Sequence, residues 1–588
     1  MKKLVISFFV FIFLLDIAAA QHLHMNLLAV SRDGADMNGR RADLFLDMQP
    51  GTGRIFIDSY PLTQLDTQIS TRFANQIACD FSGEDCSKHD FFYTIRASSP
   101  IIGGPSAGAA LALITLAGLE GFEIPDTFSV TGTINSGELI GPVGGLKQKI
   151  EAAAAAGLKN VMVPMGETEY EEDNITLDLF QYGAELGVEV LEVATLDEIY
   201  GFITGKRKHD GVVGIVLDPK YEQVMSSLAA MLCDRASSRL GEVRSLGISP
   251  PEYFTEVSNV SVDFWKFMQE AEKLNNNSIL ADSKGSYYSS ASFCYGSSLQ
   301  SSVLLNLYNN MSYDGIVRFQ EEVQARIDSI SRDLESRPLL TLSDLEAYII
   351  VRDRLVDAQS LLDDSRESLI KNDTRSAVTL ATHADERYFS AVSWSHFFGQ
   401  QGKELEIDVS VLSRTCQDKI SEAEERLAYV RFFLPDSLDE TSEVIDLAKV
   451  DQLNEEYELC LFKASKAKAE ADIVLSTIGI GENKTPDLLH LKLDAAERII
   501  ADQSAKGNFP ILGYSYFEYA QDLEEEDIFS ALLYSEYALE LSNIDMYLRQ
   551  SAKPGIRWPR IEMLMIFLLG ISVGFLLAAV FSIRKELV

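Results

Sequence analysis

Residues Gly103-Gly104-Pro105-Ser106-Ala107-Gly108 run directly into an alanine-rich apolar stretch that ends near Leu119. Glycines and proline build a tight turn, and the apolar run behind them predicts a helix from about Ser106 to Leu119. A serine at that helix start has backbone N–H groups and the positive end of the helix dipole beside it, a place that can hold an oxyanion. Taken alone, the turn fits a phosphate loop or a structural corner equally well. Its flanks set the fold class. Strand signals at Leu27–Val30, Ala42–Met48 and Arg54–Asp58 come first, then helical spacing over Leu65–Asp80 and a strand at Phe91–Ala97. Beyond the turn, strand material over Phe128–Leu139, a helix over Lys147–Ala156, strands at Asn160–Pro164 and Val188–Val193, and a helix over Thr195–Thr204 complete the pattern. The alternation predicts a compact α+β or α/β domain over residues 21–204.

A second motif, Gly144-Gly145-Leu146-Lys147-Gln148-Lys149, places Lys149 43 residues after Ser106. The two motifs at this spacing resemble the proteolytic domain of the Lon protease family, in an anchored form without the ATPase module. Thr131-Gly132, the alanine-rich 152–156, Gly157 and Val161–Pro164 extend the likeness over residues 24–204. The resemblance implies a serine-lysine dyad, with Ser106 as nucleophile and Lys149 as general base, working through an acyl-enzyme. It also implies a supporting hydroxyl at Thr131, with backbone N–H groups around Ser106 and Gly104 as oxyanion donors. A lysine of reference pKa about 10.4 must approach about 7 to serve, a shift worth roughly 4–5 kcal/mol. Burial beside Ala109, Leu113, Leu146 and Ile150 is the expected source. Gly103 stands where many Lon-family members carry an acidic residue, so an orienting carboxylate, if present, comes from elsewhere. No G-x-x-x-x-G-K-[ST] occurs, and Gly205-Lys206-Arg207 lacks the upstream glycine and the hydroxyl, so no ATP step is expected.

After Gly205 strand signals nearly vanish, and residues 205–555 read as an extracytoplasmic helical array. Ser343 to Glu346 suggests a capping box, and Ile420, Ala423, Leu427 and Val430 follow helical spacing. Phe509, Leu512, Gly513 and Tyr516 match the opening of a tetratricopeptide helix, but a single partial copy does not establish a repeat. Trp394, Phe397 and Phe398 read as core, and the acidic runs Glu169–Asp173 and Glu524–Asp527 as solvated faces.

The two ends set the expected address. Lys2-Lys3, the apolar Leu4–Leu15 and Ala18-Ala19-Ala20 form a secretory signal over residues 1–20. Met563–Ile583 is uncharged and, at about 1.5 Å per residue, long enough to span a bilayer. Residues 561–583 are therefore expected to be a transmembrane helix and 584–588 a cytoplasmic tail. Six cysteines and six N-x-[ST] triplets agree with an outside location. Cys79 with Cys86, Cys233 with Cys294 and Cys416 with Cys460 are plausible pairs. No metal-ligand spacing appears among the seven histidines, and His22 and His24 read as a mobile mature N-terminus. With 51 Lys plus Arg against 88 Asp plus Glu, net charge is -37, which argues against nucleic acid as a partner. The expectation is a membrane-anchored, ATP-independent serine endopeptidase that needs no cofactor and acts on extracytoplasmic protein or peptide substrates, possible as a homo-oligomer. The alternative is a non-catalytic surface scaffold built on a Lon-like domain.

Overall fold

The computed structural model describes residues 21–33, 36–102, 104–172, 175–209, 214–247, 259–399, 408–478, 480, 484–544, 569–574 and 576. Four strands form the first sheet in the order β1-β2-β4-β3: β1 (Gln21–Asp33), β2 (Asp36–Pro50), β3 (Ile55–Thr63) and β4 (His89–Ile102). β1, β2 and β4 are antiparallel neighbours, and β3 lies parallel to β4. Period-two alternation puts Leu44, Leu46, Phe91, Tyr93 and Ile95 on the buried face, beneath α1 (Leu65–Ser82) and α2 (Gly108–Glu120). His22 and His24 are not part of a loose end. They lie on β1, where His24 Nε2 meets Asp43 at 3.0 Å and His22 Nδ1 meets Asp47 at 2.9 Å. Strand pairing with β2 holds them there.

The second sheet is parallel, in the order β11-β8-β5: β5 (Phe128–Val130), β8 (Asn160–Pro164) and β11 (Glu189–Val193). Both faces of β8 are covered: Met162 joins the core of the first sheet, while Val161 and Val163 join a second core with α3 (Leu146–Ala155). The strand material expected over 128–139 is present in short pieces. β5 gives way to the short pair β6 (Thr133–Ile134) and β7 (Ile140–Gly141), with a 3-10 turn at Ser136–Glu138 between them. Gly137 (φ 74°) and Glu138 (φ 65°) are left-handed, a conformation no strand can contain. The acidic stretch expected to be a solvated face holds the hairpin β9 (Glu169–Glu172) and β10 (Ile175–Asp178). It leads into α4 (Leu179–Glu185), N-capped by the Asp178 carboxylate, and α5 (Leu196–Thr204) ends the α/β part.

From residue 219 to 542 the described chain is helical: α6 (Pro219–Ser245), α7 (Asn259–Lys284), α8 (Tyr287–Tyr308), α9 (Tyr313–Glu335), α10 (Leu342–Ile370), α11 (Thr374–Trp394), α12 (Val409–Phe433), α13 (Asp439–Leu453), α14 (Tyr457–Thr477), α15 (Thr485–Ala505), α16 (Ile511–Leu523) and α17 (Ile528–Ser542). The capping box of α10 is Thr341 with Asp344, two residues earlier than expected. Glu346 instead turns inward, where its carboxylate accepts the Ile511 N–H at 2.8 Å and burial pushes its pKa up to about 8. Trp394 and Phe397 are core. All three disulfides form: Cys79–Cys86, Cys233–Cys294 joining α6 to α8, and Cys416–Cys460 joining α12 to α14.

The C-terminal expectation is corrected. Among the described residues no helix is long and apolar enough to cross a membrane. The single-pass span in the expected fold class, and the cell-membrane address drawn from it, are therefore overturned. The expected signal, residues 1–20, and the tail 584–588 lie outside the described residues.

Candidate active site

The turn before α2 takes its shape from Gly104, whose φ of 95° and ψ of 149° are open only to glycine. Pro105 then starts a short 3-10 turn carrying Ser106, which is half-exposed at the foot of α2. Backbone bonds tie this corner to the strand beside it. Gly132 N–H donates to the Ser106 carbonyl at 3.0 Å, and Ala109 N–H donates to the Gly132 carbonyl at 3.0 Å. Gly108 allows the close approach, since a Cβ there would lie 2.8 Å from the Ile134 nitrogen.

Lys149 enters from α3 and is 2 % exposed. Its Nζ donates to Thr131 Oγ1 at 2.9 Å, and the same hydroxyl lies 3.4 Å from the Ser106 carbonyl oxygen. Thr131 is thus the shared neighbour of the lysine and the serine turn. Burial lowers the Lys149 pKa to about 8, against the opposing pull of the Glu167 carboxylate. Of the expected apolar neighbours, Leu146 and Ile150 belong to the core of the second sheet, and Ala109 and Leu113 to that of the first. Lys149 is held at the seam of the two cores.

Two carboxylates escaped the sequence reading. Glu167 follows β8; its Oε2 accepts the Val143 N–H at 3.0 Å, and burial raises its pKa to about 7. Asp66, in the first turn of α1, accepts the Gly104 N–H at 2.7 Å. It brings a carboxylate to the serine turn despite Gly103, and it occupies the Gly104 amide expected to serve as an oxyanion donor. Neither residue belongs to a motif. Asp66 lies 40 positions before Ser106, and only the packing of α1 against the turn joins them.

The helical array reaches the same place. Arg426 of α12 donates to the Ile134 carbonyl at 2.7 Å, and Arg498 of α15 to the Gly137 carbonyl at 2.8 Å. Ser136 Oγ donates to Glu540 of α17. The Gly144 N–H, just ahead of α3, meets the Tyr429 phenol oxygen.

A threonine just past β5, between a buried lysine and a partly buried serine at a helix foot, is a layout for acyl transfer. Residues 87–199 match the Lon protease (S16) C-terminal proteolytic domain. The matched segment contains Ser106, Thr131 and Lys149. The chain is 32% identical over 132 residues to the archaeal Lon protease of Archaeoglobus fulgidus, covering 22% of this chain and 20% of that protein. It is 26% identical over 167 residues to the Lon protease of Lachnoclostridium phytofermentans, 28% of this chain and 20% of the relative. With Lon protease 2 of Bacillus subtilis it shares 32% over 113 residues, 19% of this chain and 18% of the other. The chain spans about a fifth of the length of the curated relatives it matches. The matched 87–199 leaves β1, β2, β3 and α1 outside, so the Lon match does not include Asp66.

Proposed function

We propose that the chain is an ATP-independent endopeptidase in which Ser106 attacks the scissile carbonyl and Lys149 is the general base. The observation that carries this reading is the buried Lys149 ammonium beside Thr131, its pKa lowered to about 8. At pH 7 about one lysine in ten is then neutral, against fewer than about one in a thousand for a free side chain. Neutral Lys149 takes the Ser106 hydroxyl proton as Oγ bonds to the carbonyl carbon. The tetrahedral intermediate collapses, the C–N bond breaks, and the leaving amine takes that proton from Lys149. Neutral Lys149 then takes a proton from water as its oxygen bonds to the acyl carbon; the ester C–O bond breaks, the acid leaves, and Ser106 Oγ takes the proton back from Lys149.

Thr131 orients the lysine in this scheme. The backbone N–H groups of the Ser106 turn face the oxyanion, and the Gly104 amide joins them when Asp66 lets it go. The substrates are protein or peptide segments already unfolded, since the scheme includes no nucleotide-driven step. Three disulfides support an oxidising surrounding for both enzyme and substrate.

The test is hydrolysis of casein and a peptide library by the full chain, beside S106A and K149A, with covalent labelling by a serine-reactive probe. Labelling at Ser106 and loss of cleavage in both variants are expected. Equal cleavage by all three proteins would remove the dyad.

A further inference from the structure

Far along the chain from the dyad, helices α6, α8, α10, α11, α14, α16 and α17 surround a cavity of about 350 Å³, at the lower end of the range of ligand sites. Its walls are aromatic: six tyrosines and Trp394 line it. The rings brace one another edge-on, Tyr519 against Tyr534 at 4.7 Å and Tyr288 against Trp394 at 6.0 Å between centroids. Such walls offer flat apolar faces at little entropic cost. Burial raises the Tyr288 and Tyr534 phenols, so at neutral pH they present O–H donors.

The charged groups have a pattern. Arg387 and Asp357 face each other at 3.5 Å and largely neutralise one another. Among the lining side chains that leaves Arg354 and Lys466 against Asp353, one positive charge in excess, with Glu470 behind the wall accepting the Tyr537 hydroxyl at 2.9 Å. Arg354 stacks its guanidinium 5.6 Å from the Trp394 ring, and its Nε is buried with no hydrogen-bond partner among the described residues. A buried guanidinium N–H without an acceptor is unfavourable. Lys466 lies 5.7 Å from the Tyr537 ring centroid, on the rim of the same space. A cationic ligand would meet like charge here, and a phosphate dianion would be under-neutralised. A single carboxylate against the Arg354 guanidinium and the Lys466 ammonium restores the balance.

We propose that this cavity binds a peptide carboxylate carried next to an aromatic side chain, with Arg354 and Lys466 taking the carboxylate and the tyrosine walls taking the ring. The mixed lining suits a polypeptide, because backbone amides need both the acceptors of Asp353 and the donors of the phenols. A chain end and an acidic side chain present the same group. The site stands independently of the dyad, so it is tested in the full chain carrying S106A, where no cleavage enters the signal.

The measurement is calorimetric titration with N-acetyl-Gly-Phe bearing a free C-terminus, N-acetyl-Glu-Phe-amide, and neutral N-acetyl-Gln-Phe-amide, with Trp394 fluorescence as second readout. At least one carboxylate peptide binds about tenfold or more tighter than the neutral one, and which of the two does so names the source. R354Q weakens that binding about tenfold or more, R354K partly restores it, and K466Q weakens it about threefold. Circular dichroism checks the fold of each; should R354Q unfold, K466Q decides. Equal binding of the neutral peptide, no binding of either acid up to about 5 mM, or affinity unchanged in folded variants overturns the proposal.

Discussion

The molecule buries lysines in two ways. Lys149 in the α/β part is enclosed with a threonine hydroxyl as its hydrogen-bond partner and a single carboxylate, Glu167, acting on it through space. Lys419 and Lys468 in the helical array are as deeply buried, but each binds carboxylates directly. Lys419 meets Glu422 at 3.1 Å and Glu540 at 2.8 Å, and Lys468 meets Asp472 at 3.1 Å and also Glu540. Burial pulls all three lysines toward the neutral form. Around Lys419 and Lys468 the carboxylates outweigh burial and hold the pKa above the ordinary value, whereas Lys149 falls to about 8. Depth alone therefore does not make a base; the partner decides the sign. Glu540, between the two lysines, is held well below the usual carboxylate range although burial alone would raise it.

The comparison breaks first at the proposed dyad. K149A and S106A each reduce peptide cleavage by about 10⁴-fold or more in a steady-state assay, with the fold unchanged by circular dichroism. A sharper intervention converts one kind of lysine into the other. T131D sets a carboxylate against Lys149, raises its pKa by about 1–3 units, and moves activity to alkaline pH by the same interval in a kcat/KM profile. In the helical array the large effect is on stability. E540Q leaves Lys419 and Lys468 short of a counter-charge and costs roughly 3–5 kcal/mol in urea unfolding, whereas K149M in the α/β part carries no such cost at neutral pH.

Two smaller effects concern pH. E167Q removes the charge that holds protons on Lys149, so the acidic limb of kcat/KM, centred near pH 8 in the parent, moves down by roughly half a unit. Because folded Lys149 releases its proton more readily than the unfolded chain does, it penalises folding by about 3 kcal/mol below pH 8. That penalty fades as pH rises from 8 toward 10.5, and K149M removes this alkaline gain from the stability profile.

What was readable in advance follows the range of the interactions. Ser106, Thr131 and Lys149 lie in short motifs whose glycines and spacing are local, and the structure joins them through one hydroxyl. Helical spacing at Ile420, Ala423, Leu427 and Val430 marked a face to be buried, and the face is buried. The same spacing says nothing of what covers that face, so the reach of Arg426 to Ile134, 292 positions away, left no trace. Buried charges were the hardest to foresee. Lys419, Lys468 and Glu540 look like surface residues one at a time, and only their convergence from α12, α14 and α17 makes them interior. The strand material over 128–139 is broken into short pieces for a backbone reason, the left-handed pair Gly137-Glu138.

That pair has a practical meaning for anyone wishing to trim the protein. A non-glycine residue at φ 65° is costly by about 1–2 kcal/mol, and here it is pinned from outside, with Arg498 on the Gly137 carbonyl and both Arg498 and His209 on the Glu138 carboxylate. Without α15 the corner has every reason to relax, and it sits seven residues from Thr131. A minimal fragment cut at residue 204 would carry the whole dyad and lose its scaffolding, so a truncation series should fail well before it reaches the motifs.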